Sequence, residues 1–287
     1  MKDNKKHKKA EYGILITGLI ILLAAACIIA LCAGQYSVSV PEVIKILASR
    51  FVNVTKTWSN TAEGVVFTLR LPRIIGAVLV GSALSLSGAA YQGVFKNPLV
   101  APDLLGVSSG ACVGASVAIL LHLNSFGVQA MAFVAGILAV GLTLFIPRLI
   151  KNTNMTMLVL SGIIVKGIMD SVMGIIKYVA DPETELQSIT YWQLGSLTKV
   201  LPKDLFTVGP VIVAASVIIF LLRWRINILS LGDREAKTLG VSVTIVRNFI
   251  IICATLLTAS AVCISGTIGW ILSLIHISEP TRLRRIS

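Results

Sequence analysis

The sequence predicts an all-α membrane protein, a polytopic helical bundle, and three observations carry that prediction. First, 55% of the 287 residues are hydrophobic and only 13% are charged. The mean hydropathy of +0.88 is far too high for a water-soluble chain of this length. Second, the apolar residues come in runs long enough to cross a hydrocarbon core of roughly 30 Å. Third, the Lys and Arg residues behind the net charge of +12 lie between those runs, with no basic stripe interleaved with aromatics. That charge reads as topology information and headgroup contact, so the chain meets membrane lipid and not nucleic acid.

The elements follow in order. Residues 1–12, "MKDNKKHKKAEY", form a basic tail. The run at 13–33 has spanning length and no A-x-A-like cleavage site, so it reads as a retained helix and not a signal peptide. Further apolar windows lie at 74–95, 104–121, 127–150, 155–179, 205–222 and 244–264, making seven spans. If the lysine-rich tail is cytoplasmic, so are the loops 96–104, 148–155 and 223–247. These hold more Lys and Arg than the outer segments, which supports an N-terminus inside. The outer segments are 35–73, with the amphipathic-looking "VPEVIKILASRF", and 180–203.

Small residues recur every fourth position at Ala77, Gly81, Ser85, Ala89 and Gly93, and again at Gly106, Gly110 and Gly114. Each row makes a smooth helix face that lets a neighbouring backbone come close. The five cysteines all lie in apolar runs without a CxxC, so they read as packing residues.

Four polar features interrupt this pattern. In "LRLPR", Arg70 and Arg73 stand at an outer helix mouth with Pro72 in the first turn. Two guanidiniums there can clamp carboxylates or anchor headgroups. In "KNPLVAPDLLG", two prolines prevent a continuous helix and make a tight connection. The stretch "INILSLGDREAKTLGVSV" is too polar to span. As one helix it would place Leu229, Gly232, Ala236 and Leu239 on an apolar face, with Gly240 as the stop. Lys166 and Asp170, four apart inside a span, form an intramembrane charge pair, either between helices or lining a translocation path. No Walker A, HExxH or Ser/His/Asp arrangement occurs, so no catalytic residue, metal ligand or cofactor is expected.

The stretch 69–111, "YWQLGSL" at 191–197, "LSLGDREAKTLGVSV" at 229–243 and "SGTIGW" at 265–270 closely resemble the permease subunits of ABC importers for iron-siderophores, haem and cobalamin. The resemblance runs from about residue 13 to 271. It implies the type II ABC importer permease fold, with about seven of the usual ten transmembrane helices in this chain. It also implies a second permease subunit, cytoplasmic ATPase subunits, an external substrate-binding protein and a bacterial cytoplasmic membrane. By the same resemblance, Arg70 and Arg73 dock the binding protein, and Asn97, Leu99 and Thr156 face a cytoplasmic gate. Leu231, Gly232, Asp233, Ala236, Leu239 and Gly240 belong to a coupling helix that meets the ATPase, which hydrolyses the ATP. The expected cargo is a ferric siderophore, with haem and cobalamin as near alternatives. A rival from another class is an ion-coupled secondary transporter using Lys166 and Asp170. After 271 the family pattern is lost, so 13–271 reads as an incomplete permease domain. Residues 272–287, "SLIHISEPTRLRRIS" with the preceding Leu272, read as a non-native tail, and His276 as no part of the family's Pro-His motif.

Overall fold

Backbone polar groups in lipid must be satisfied within the segment, which leaves helices as the economical solution for apolar runs of this kind. The computed structural model describes residues 2–268 apart from 54, 153 and 199. The expectations for His276 and for 272–287 lie outside the described residues. The helices are α1 (Lys2–Cys32), α2 (Val40–Ala48), α3 (Asn60–Gly64), α4 (Leu71–Phe95), α5 (Val107–Leu120), α6 (Ser125–Leu149), α7 (Met155–Val179), α8 (Glu185–Leu194), α9 (Pro202–Leu221), α10 (Arg223–Leu231), α11 (Asp233–Thr238) and α12 (Val243–Ser265). Among the described residues six helical stretches are long and apolar enough to cross a membrane. The seventh expected span is shorter: α5 has 14 residues, about 21 Å at 1.5 Å per residue. The chain falls into two units, Met1–Gly76 and Ala77–Ser287.

In the first unit the basic tail and the first span are one helix, α1. The "VPEVIKILASRF" segment is helical as α2. It buries Val43 and Ile46 in a small core with Leu31, Trp58 and Val66. The Ser59 side chain caps α3 by accepting from the Ala62 N–H at 3.0 Å. The helix carrying "LRLPR" therefore begins well before Pro72, contrary to the expectation that Pro72 occupies its first turn. One π turn, Val65–Arg70, precedes α4, and the Leu71 N–H donates five residues back to Val66 O. The wider turn lets a proline without an N–H follow inside a continuous run.

In the second unit α5 and α6 share the closest seam. A Cβ on Gly110 would stand 2.5 Å from the Ala139 Cβ and 2.8 Å from the Ala135 carbonyl oxygen, and Gly114 lies equally tight against Met131 and Ala135. The Gly110–Gly114 row thus does what smooth faces do. The other row behaves differently: Ala77, Gly81, Ser85 and Ala89 are exposed within this chain. It is Val80, Ala83, Ala90, Tyr91 and Val94 of α4 that join the core. Helix α12 is the most enclosed span, 78% buried over its apolar window. The buried Tyr91 hydroxyl meets Thr255 Oγ1 at 3.0 Å, tying α4 to α12.

Candidate functional site

The loop after α4 is a built structure. Lys96 ends the helix in a left-handed conformation, φ +53°. Asn97 Oδ1 accepts from the Leu99 N–H at 2.9 Å, an Asx turn, and Gln92 Nε2 donates to Pro98 O at 2.9 Å. This leaves Leu99 projecting, 73% exposed. The chain then enters the bundle, where the sequence reading ends the loop at residue 104. Pro102–Leu105 is a 3-10 turn, and the carbonyl of buried Leu105 accepts from Thr143 Oγ1 at 3.0 Å. The Leu104 carbonyl lies so close to Gly162 that no Cβ fits there. Thr143 is six residues from the end of α6 and Gly162 seven from the start of α7, so this backbone, which is not α-helical, sits about 10 Å inside the helix ends. Irregular backbone at such depth belongs where protein buries it or a cavity meets it. A cavity of about 310 Å³ does adjoin it, lined by Leu84, Leu99, Asp103, Ser108, Thr258 and Val262 among others.

Asp103, at the inner end of this loop, is a residue that the sequence reading missed. Its Oδ1 accepts from the Ser108 N–H at 3.0 Å in the first turn of α5, and its Oδ2 accepts from Lys166 Nζ at 3.2 Å. This corrects the expected charge pair: Lys166 bonds Asp103, and no salt bridge to Asp170 occurs among the described residues. The reason is directional. Helical side chains lean toward the helix N-terminus, so Lys166 reaches back toward Gly162 and the loop, away from Asp170 one turn ahead. Lys before Asp is also the weaker order of an i, i+4 pair.

The coupling segment is not one helix. Gly232, at φ +150°, breaks it into α10 and α11, a backbone conformation that L side chains rarely adopt. Of the residues expected on one apolar face, Leu229 and Ala236 are buried while Leu239 is 61% exposed; Leu231, outside that face, is 68% exposed. Gly240, at φ +75°, ends α11 as expected. At the break, Asp233 Oδ1 accepts from Lys96 Nζ at 2.9 Å, and both its oxygens accept from Arg247 Nη2 at 2.8 Å. The bond from Arg247, then that from Lys96, holds the Asp233 carboxyl below the ordinary carboxylate range. Thr156, in the first turn of α7, is exposed.

Arg70 is committed elsewhere than expected. Its Nη1 donates to Leu31 O at 2.6 Å and to Cys32 O at 3.2 Å, and Nη2 donates to Tyr36 O. It caps the carbonyl end of α1, where a cation is favoured. Arg73 is half-buried and forms no salt bridge among the described residues.

The segment "YWQLGSL" and residues 265–268 of "SGTIGW" meet in space. The Ser196 N–H donates to Ser265 O at 2.7 Å, and Thr267 Oγ1 donates to Gln193 O. Gly195 and Gly266, both with left-handed φ, touch where any Cβ would collide. The order of motifs along the chain gives no sign of this contact. A model of the FecCD transport family matches residues 21–275. The chain belongs to the FecCD transport family. The molybdate import system permease protein MolB of Haemophilus influenzae is 35% identical over 94% of this chain and 80% of its own length. A probable iron chelatin transport system permease protein of Helicobacter pylori is 40% identical over 72% of this chain, which spans 62% of that relative. The solved structure of a metal-chelate type ABC transporter in an inward-facing conformation superposes with TM-score 0.80 at 33% identity, covering 93% of this chain and 81% of that one. Other relatives are named for cobalamin import in Halobacterium salinarum and hemin transport in Yersinia pestis. The FecCD chain is thus a multi-pass permease subunit of an ABC importer with the type II permease fold, and not itself an enzyme. ATP hydrolysis resides in a separate subunit, which sets aside the ion-coupled alternative for Lys166 and Asp170.

Proposed function

We propose that this FecCD permease carries a metal chelate, in the first instance a ferric siderophore, inward across a bacterial cytoplasmic membrane, with its N-terminus on the cytoplasmic side. The observation that carries the reading is the likeness to the metal-chelate type transporter over 93% of the chain. The relative named for iron chelatin supports it. The permease works with a second permease copy or homologue, cytoplasmic ATPase subunits and an external binding protein. Arg73 is the docking cation for that binding protein, while Arg70 holds its platform by capping α1. Asn97, Leu99 and Thr156 form the cytoplasmic gate, and the cavity beside Asp103 belongs to the path. Leu231 and Leu239 are apolar knobs offered to the ATPase, with Gly232, Ala236 and Gly240 shaping the segment that presents them.

The test is uptake into vesicles holding the permease, ATPase and binding protein. Radiolabelled ferric siderophore, haem, cobalamin and molybdate are compared with and without ATP. ATP-dependent entry of the ferric siderophore is the expected result. Entry of molybdate alone would replace this reading with an oxyanion importer, which the likeness to MolB favours as the second reading. Leu239→Glu should abolish uptake by preventing ATPase docking, and normal transport by that variant would remove the coupling assignment.

A further inference from the structure

The gate loop and the coupling segment are separate in sequence, and one carboxylate joins them. Asp233 opens α11. Its Oδ1 lies 2.9 Å from Nζ of Lys96, the residue before Asn97. Both its oxygens lie 2.8 Å from Nη2 of Arg247, in the second turn of α12. The end of α4, the coupling segment and the start of α12 therefore meet at a single side chain.

Two observations distinguish this cluster from an ordinary surface bridge. The Arg247 side chain is only 14% exposed, and its buried Nε has no hydrogen-bond partner. A guanidinium binds a carboxylate best through two nitrogens at once, and a buried donor left unused costs free energy. The carboxylate here engages one nitrogen and leans toward Lys96, so a stronger arrangement with Arg247 exists a small displacement away. Lys96, meanwhile, stands in a left-handed backbone that a lysine adopts at a cost. The Asx turn that sets Leu99 begins at the next residue, and the bond from Gln92 to Pro98 spans Lys96.

We propose that Asp233 is a two-position latch between the coupling segment and the gate loop. In the position seen, Lys96 and Arg247 share it. When the ATPase displaces α11, the carboxylate moves fully onto the Nε and Nη2 fork of Arg247 and lets Lys96 go, freeing the loop that carries Asn97 and Leu99. Lys96 and Arg247 are positioning residues in this scheme, which rests on the permease reading above.

The test uses the reconstituted complex of permease, ATPase and binding protein. Lys96→Asn removes the charge but keeps a residue tolerant of a left-handed backbone, and Lys96→Arg keeps the charge. Lys96→Asn should co-purify the ATPase and hydrolyse ATP at the wild-type basal rate. Ferric siderophore moved per ATP should fall about tenfold, within the usual range of coupling between sites, and Lys96→Arg should restore most of it. Spin labels on Leu99→Cys and Thr238→Cys should report a narrow distance distribution without ATP that broadens with ATP. In Lys96→Asn it should be broad in both conditions. Wild-type coupling with a narrow distribution in Lys96→Asn would overturn the latch, and so would loss of ATPase co-purification, which would make Lys96 a docking residue. A wild-type chain that binds no ATPase at all would remove the permease reading and the latch with it.

Discussion

Asp103 and Asp233 each hold two neighbours, yet they do so under opposite conditions. Asp103 sits on a loop packed inside the helix ends, one oxygen on the Ser108 N–H and the other on Lys166. Each oxygen has a single partner, and the backbone that follows, at Leu104 and Leu105, is held against Gly162 and Thr143. Asp233 stands at a helix break, 46% exposed, and is shared between two cations with one guanidinium nitrogen to spare. The two lysine pairs are similarly exposed, so the contrast lies in the backbone that carries each carboxylate, packed beside Asp103 and broken at Gly232 beside Asp233. The difference teaches that Asp103 is a brace and Asp233 a joint.

The comparison can be broken most severely at the brace's footing. Gly162→Val has no room against the Leu104 carbonyl and should destabilise the chain by about 3 kcal/mol, read as a lowered thermal midpoint in detergent. Asp103→Ala should come next, at about 1 kcal/mol, since it removes the cap at Ser108 and the partner of a half-exposed Lys166. The double variant Asp103→Ala/Lys166→Met should recover part of that loss, because the stranded cation goes with its partner. Equal midpoints for the single and double variants would mean that the pair contributes nothing beyond the cap.

At the joint the effects should be smaller. Lys96→Met should cost less than about 1 kcal/mol, and the difference from wild type should shrink as salt is raised through about 0.5 M. Smallest is the pH effect. The folded-state pKa of Asp233 is depressed, so its contribution is present above the ordinary carboxylate range and is lost as pH falls below about 4. Melting midpoints measured from pH 6 to pH 3 should therefore fall less steeply for Asp233→Asn than for wild type. A parallel fall would show that other carboxylates dominate.

Much of the fold was legible because lipid imposes length and apolarity on each span, and the windows at 127–150 and 155–179 return almost residue for residue as α6 and α7. The window at 104–121 misled because Leu104, Leu105 and Leu121 are apolar without being part of the α-helix, a distinction hydropathy cannot make. Glycine spacing showed two smooth faces but not which one the chain covers; Gly110 and Gly114 are covered, and Gly81 is not. The site was legible where it depends on local backbone, as with Gly240. It was opaque where a partner arrives from a distant segment: Asp103 to Lys166 is 63 residues apart, and Lys96 to Asp233 is 137. Arg70 was read as a surface charge because only the folded unit shows the carbonyl end of α1 beside it.

The shortness of α5 bears on how the protein is made. A helix of 14 residues covers about two thirds of a hydrocarbon core, so its helical length alone does not reach across the bilayer. The 25 residues of α6 do reach, and the glycine seam between the two is the tightest in the second unit. Stable placement of α5 should therefore depend on α6, and the loop bearing Asp103 should keep its depth only where the α5–α6 hairpin and α7 stand side by side.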